Sequence, residues 1–95
     1  MTKVAIIRQR GREVIDETLL EWDVGEIKWF DPVRRFGFIL LDDGSEVFFP
    51  WLSLLRSGIP ERQVLPGVRV RFKVAPPDRP NGRPRAERIE IERKR

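Results

Sequence analysis

From Glu26 onward, apolar residues recur mostly at every second position, in short runs closed by Asp, Gly and Pro. That is the pattern of half-buried β-strands separated by turns. Glu26 to Phe30 reads as a strand that stops at Asp31-Pro32, a turn opener. Phe36 to Leu41 is the next, halted at Asp42-Asp43-Gly44, where Asp-Gly predicts a hairpin. Glu46 to Trp51 follows as a third strand. Residues 52 to 66 contain Gly58, Pro60 and Pro66 and read as a long irregular connection with at most one short turn over 52 to 56. Val68, Val70, Phe72 and Val74 alternate strictly with Arg69, Arg71 and Lys73, which predicts a fourth strand. Pro76-Pro77 through Asn81-Gly82 is a loop, and Ala86, Ile89 and Ile91 mark a last strand to about residue 92. Five short strands with no helix among them predict an all-β fold, a small closed or partly closed barrel.

The first 23 residues form an extension with two open readings. Val4 to Ile7 pairs with Glu13 to Ile15 across Arg10-Gly11 in a hairpin, which sets Ile7 opposite Val14 and Arg8 opposite Glu13. Alternatively, Val14, Ile15, Leu19 and Trp22 share one stripe of a helix. The hairpin is favoured. Residues 24–92 then form the barrel domain and 93–95 a basic tail. Trp22 is expected to anchor the extension to the barrel.

Strands two and three carry more apolar residues than one buried face needs. Side chains alternate across a strand, so Phe36 and Phe38 share one face while Ile39 and Leu41 take the other. In the next strand Phe48 and Pro50 share a face, opposite Val47 and Phe49. Pairing the two strands across the Asp-Gly turn yields an aliphatic set with Phe49 and a separate aromatic set. A one-layer barrel buries only one of them. Aromatic clusters are commonly core, and the N-terminal segment is one candidate cover for the second face. The other is a row of unstacked bases, since stacking on an exposed ring contributes about 1–3 kcal/mol per base.

Composition narrows the chemistry. The chain of 95 residues has no Cys, no His and no Tyr. Disulfides, thiolate metal sites, Cys or Ser-His nucleophiles and the commonest zinc ligand are therefore excluded. No carboxylate pair stands out, so an enzyme, a cofactor and a metal site are not expected. The net charge is +4, and 15 of the 19 cations are Arg, whose planar guanidinium suits phosphates and bases. Without an apolar run of about 20 residues or a secretory signal, the chain reads as cytoplasmic and free of the membrane.

Three segments resemble the bacterial cold-shock domain. They are Lys28-Trp29-Phe30, then Arg34-Arg35-Phe36-Gly37-Phe38-Ile39, then Val47-Phe48-Phe49-Pro50-Trp51. That family typically carries K-W-F, K-G-F-G-F-I and V-F-V-H-F at these separations. Gly82-Arg83-Pro84-Arg85-Ala86 is similar to its G-P-Q-A segment with one residue inserted, and the likeness spans about residues 24 to 92. The resemblance implies a five-stranded OB-fold barrel that binds single-stranded RNA or DNA by base stacking. Carried over by position, the binding residues are Lys28, Trp29, Phe30, Arg34, Phe36, Phe38, Phe48 and Trp51, with Arg35 and Arg85 beside them. Putting Lys28, Trp29 and Phe30 on one face requires a bulge in the first strand.

Three departures stand out: Pro50 replaces a His, Arg35 a Gly, and Ile59 an aromatic. Arg69, Arg71 and Lys73 read as a solvated edge, with a phosphate-tracking stripe as the alternative. Arg79, Arg83 and Arg88 stand near the implied groove. The function expected is low-specificity binding of single strands, as an RNA chaperone or transcription regulator. The alternative is a protein-interaction module whose N-terminal segment masks the aromatic face or docks a polymerase or ribosome component.

Overall fold

A computed structural model describes residues 6–9, 12–15, 20–77 and 80–92, of the first two segments the backbone alone. Val4, the Arg10-Gly11 turn, Leu19, Arg79 and the Arg93-Lys94-Arg95 tail lie outside the described residues. Strand β1 (Ile6–Gln9) pairs antiparallel with β2 (Arg12–Ile15), with Ile7 opposite Val14 and Arg8 opposite Glu13. The extension is thus the expected hairpin, and it forms its own two-stranded sheet. The helical alternative fails because Val14 and Ile15 are in a strand and Trp22 opens the next one.

Five strands close a barrel: β3 (Trp22–Asp31), β4 (Phe36–Leu41), β5 (Glu46–Pro50), β6 (Arg69–Ala75) and β7 (Arg85–Ile91). Their order around the barrel is β3-β4-β5-β7-β6, and β6 returns to pair with β3. The first barrel strand therefore starts four residues earlier than its own pattern suggests. Trp22 to Glu26 pair with Lys73 to Arg69, whereas pairing with β4 begins only at Gly25. This closure also corrects the reading of Arg69, Arg71 and Lys73. Their strand is not an edge, because β6 is hydrogen-bonded to β3 on one side and β7 on the other. Trp22 likewise belongs to the barrel: its ring carries the Arg71 guanidinium at 4.3 Å and the Lys73 ammonium at 4.8 Å.

The interior is the face that alternation assigns to it. Phe49, Phe72, Ile39, Leu54, Ile89 and Val70 are fully buried, joined by Ile27 and Ala86. Burying a side chain of this kind contributes about 1.5–3 kcal/mol, which a domain this small needs.

The connection after β5 is more ordered than its Gly and Pro content implies. Helix α1 (Trp51–Ser57) starts directly after Pro50 and ends at Gly58, and Glu61–Gln63 form a single 3₁₀ turn. The third strand thus ends one residue early, and Trp51 is the first helical residue. Seven residues are too few for a helix to be stable alone. Tertiary contacts hold this one: Leu54 enters the core, the buried Ser53 Oγ donates to the Ala86 carbonyl at 2.6 Å, and the Ile89 amide donates to Ser57 Oγ at 3.0 Å.

The β4–β5 turn forms as the Asp-Gly signal predicts, with Gly44 at φ +88° and its amide donating to the Leu41 carbonyl at 3.0 Å. The Asp43 carboxylate accepts from Ser45 Oγ at 2.5 Å and from the Ser45 amide at 2.9 Å. Chiefly through the hydroxyl bond, then the amide, Ser45 holds the Asp43 pKa below the usual aspartate value. The folded state therefore favours the ionised form. That contribution is present above the ordinary aspartate pKa and is lost as pH falls through the lowered one. Urea unfolding midpoints measured from about pH 5 down to about pH 2 are expected to fall less in Asp43→Asn than in the unaltered protein. Parallel declines would show that the carboxylate gives the turn nothing.

Candidate nucleic-acid interface

The outer face of β3, β4 and β5 carries four contiguous rings, in which Phe36 and Phe38 touch each other and both Trp29 and Phe48. Phe38 stands opposite Phe48 across the β4–β5 ladder, and Trp29 opposite Phe38 across β3–β4. Ring centroids are 5.2 Å apart for Trp29–Phe38, 5.4 Å for Trp29–Phe36, 5.8 Å for Phe36–Phe48 and 6.0 Å for Phe38–Phe48. These are edge and tilted contacts. Aromatic pairs favour such offset geometry, and it keeps all four half-buried rather than sealed.

A bulge puts Trp29 in this cluster. Ile27 pairs with Ile39 and Trp29 with Phe38, so Lys28 is one residue too many on β3. Unbroken alternation from the buried Ile27 would turn Trp29 inward; the extra residue turns it outward. The same bulge corrects the placement expected of Phe30. Its ring stacks on Phe49 at 5.9 Å and 12° and packs against the core. Lys28, Trp29 and Phe30 thus do not share one face.

Trp51 also stands apart from the four rings. As the first residue of α1 it packs against the core, half-buried. Above its ring, at 4.8 Å, lies the Arg35 guanidinium. Arg35 is the one residue other than glycine, among those described, with a positive φ, +63°. That conformation costs a side chain on the order of 1–2 kcal/mol. Two backbone bonds hold it there: the Arg35 amide donates to the Asp31 carbonyl at 2.7 Å, and the Trp51 amide donates to the Arg35 carbonyl at 2.8 Å. The turn is reinforced by the Asp31 carboxylate, which accepts the Val33 and Arg34 amides at 2.9 and 3.1 Å.

The expected cations divide by their partners. Lys28 pairs with Glu46 at 2.8 Å, Arg34 reaches Asp31 at 3.9 Å, and Arg85 pairs with Glu87 at 2.9 Å. Glu87 also accepts from Arg56 at 2.9 Å. Arg35 has no such carboxylate among the described residues, nor does Arg83, whose guanidinium lies 5.1 Å from the Phe48 ring centroid. Arg83 is the neighbour of the cluster that sequence reasoning left among several loop arginines. Its position in the inserted segment before Pro84 is the only signal that pointed to it. Beside it runs an open groove of about 490 Å³ lined by Phe38, Glu46, Phe48, Val74, Arg83 and Pro84.

Half-buried rings with arginines on their rim fit nucleic-acid binding in general, since bases stack on π-faces and guanidinium groups serve both base and phosphate. No protein-family model matches the chain. It is 34% identical over 50 residues to a cold shock-like protein of Thermotoga maritima, covering 53% of this chain and 73% of that protein. It is 33% identical over 67 residues to a protein of Sinorhizobium fredii named as a probable cold shock protein, covering 70% of this chain and 93% of the relative. With that likeness running along most of each relative and a closed five-stranded barrel beneath it, the chain belongs to the cold-shock protein family.

Proposed function

We propose that this protein binds single-stranded RNA or DNA by stacking successive bases on Trp29, Phe36, Phe38 and Phe48. The contiguous four-ring surface carries this reading. Bases stack on exposed rings, and the guanidinium groups of Arg35 and Arg83, which meet no carboxylate among the described residues, suit bases and phosphates. The mechanism requires no bond chemistry: aromatic stacking replaces base–base stacking, so the single strand is held open. Because every base has a π-face, sequence preference is low, with stacking strength and backbone flexibility favouring some runs. Such binding competes with RNA secondary structure, which is the action of an RNA chaperone or of a regulator of transcription.

Titration with a short oligo-pyrimidine strand is expected to quench tryptophan fluorescence saturably, because Trp29 lies within the cluster. A Trp22→Phe background removes the indole that lies under Arg71 and Lys73. Apparent affinity is expected to fall as salt rises, through release of counterions. A folded protein that shows no quenching at low salt would defeat the proposal.

The hairpin β1–β2 supports a second reading, because a lone two-stranded sheet is marginal in water and gains from a surface to pack on. The same titration after removal of residues 1–19, which spares the buried Leu20, separates the two. Quenching that appears only after removal marks the segment as a cover for the rings. Unchanged quenching shows that the segment does not cover the rings, and loss of a protein partner on the same removal marks it as a docking arm.

A further inference from the structure

Of the cations expected at the interface, Lys28, Arg34 and Arg85 are each within 4 Å of a carboxylate, and Arg35 meets none among the described residues. Its guanidinium lies on Trp51 instead. It does so from a left-handed backbone that would suit glycine better. Strained residues of this kind persist where the surrounding structure holds them, and they gather at ligand sites. Here the Asp31 and Trp51 backbone bonds are that support.

The position relative to the rings is equally specific. Phe36, at one end of the cluster, pairs with Pro50, and Trp51 is the next residue. A strand that leaves the cluster past Phe36 therefore meets the Arg35–Trp51 pair next. The indole wall is fixed by its packing against the core. The guanidinium wall is exposed, sits on a long side chain and is tied by no ion pair among the described residues, so it can rise by one ring thickness.

We propose that Arg35 and Trp51 form a two-walled slot for one nucleobase, separate from the four-ring surface and continuous with it. In the free protein the guanidinium rests on the indole; in the complex a base lies between them, stacked on both planes. Arginine suits the movable wall because its plane stacks on a base while its N–H groups still reach phosphate. The slot rests on the stacking reading above and adds a site to it.

Binding of a fluorescein-labelled oligo-pyrimidine strand to Arg35→Gly and Arg35→Lys tests this. Glycine relieves the positive φ, so Arg35→Gly is expected to keep or raise the unfolding temperature while affinity drops about tenfold. Arg35→Lys keeps the charge but loses the plane, and is expected to weaken binding about fivefold, at low and at moderate salt alike. In a Trp51→Leu background, Arg35→Lys should have no further effect. Arg35→Lys equal to the unaltered protein would reduce Arg35 to a point charge and overturn the slot. Tighter or unchanged binding by Arg35→Gly would make the arginine a plug and overturn it too. An unaltered protein that binds no strand overturns the four-ring reading along with the slot.

Discussion

Replacing Phe36 and Phe48 together by alanine is expected to lower affinity for a short oligo-pyrimidine strand by at least about a hundredfold. Each ring that stacks a base contributes about 1–3 kcal/mol, and a factor of ten corresponds to about 1.4 kcal/mol. Two lost platforms therefore remove between about thirtyfold and about twenty-thousandfold. The effect lies above the bottom of that range because the rings are not independent. Phe36 touches Phe48 at 5.8 Å, and both flank Phe38, so their removal also frees Trp29 and Phe38 from their present tilt. Fluorescence anisotropy of a labelled strand measures the change. The fold survives, since neither ring belongs to the buried core made by Phe49, Phe72 and their neighbours. A folded double variant with undiminished affinity would show that bases do not stack on this face.

Gly37→Ala is expected to be the most damaging single methyl group in the barrel, at about 3 kcal/mol. Gly37 pairs with Phe30 on one side and Phe49 on the other, between the outward-facing Phe36 and Phe38. A Cβ there would overlap the Trp29 carbonyl oxygen and stand 2.6 Å from the end of the Phe49 ring. Neither neighbour can give way: the carbonyl belongs to β3, and Phe49 is fully buried against Phe30. For a domain of this length the unfolding temperature should fall by about 15 °C. Gly44→Ala is the comparison, because open space surrounds that position and only its φ of +88° is strained. It should cost about 1 kcal/mol. A Gly37→Ala variant no less stable than Gly44→Ala would mean that β3 and Phe49 yield at this point.

Gly37 also shows how site and core are joined. The residue that lets Phe49 fill the interior sits between Phe36 and Phe38, which present their rings outward. A repacked Phe49 would disturb Phe30, and through β3 the bulge that turns Trp29 outward. Substitutions beneath the cluster are therefore expected to alter stability and binding together, whereas those at the Phe36 and Phe48 rings separate the two.

Much of this was legible from short-range pattern. Alternation in β4 and β5 divides Phe36, Phe38 and Phe48 from Ile39 and Phe49, because neighbouring side chains on a strand must point to opposite faces. The Asp-Gly turn sets the register that brings Phe38 opposite Phe48, and the Arg8–Glu13 pairing of the hairpin follows from the same local rule. Whatever depended on distant partners was not legible. Helix α1 is too short to announce itself and exists because Ser53, Leu54 and Ser57 find the core and β7. The extra residue at Lys28 reverses the alternation of β3, and only pairing with β4 reveals it. Charge behaves the same way: a count of cations does not say that Lys28, Arg34 and Arg85 meet carboxylates while Arg35 and Arg83 rest on rings. The sequence by itself determined the order of the strands, the faces of β4 and β5 and the aromatic character of the outer surface, since these follow from geometry within a few residues. Only the tertiary structure decided which rings meet and which arginines reach them, because barrel closure sets residues far apart in the chain side by side.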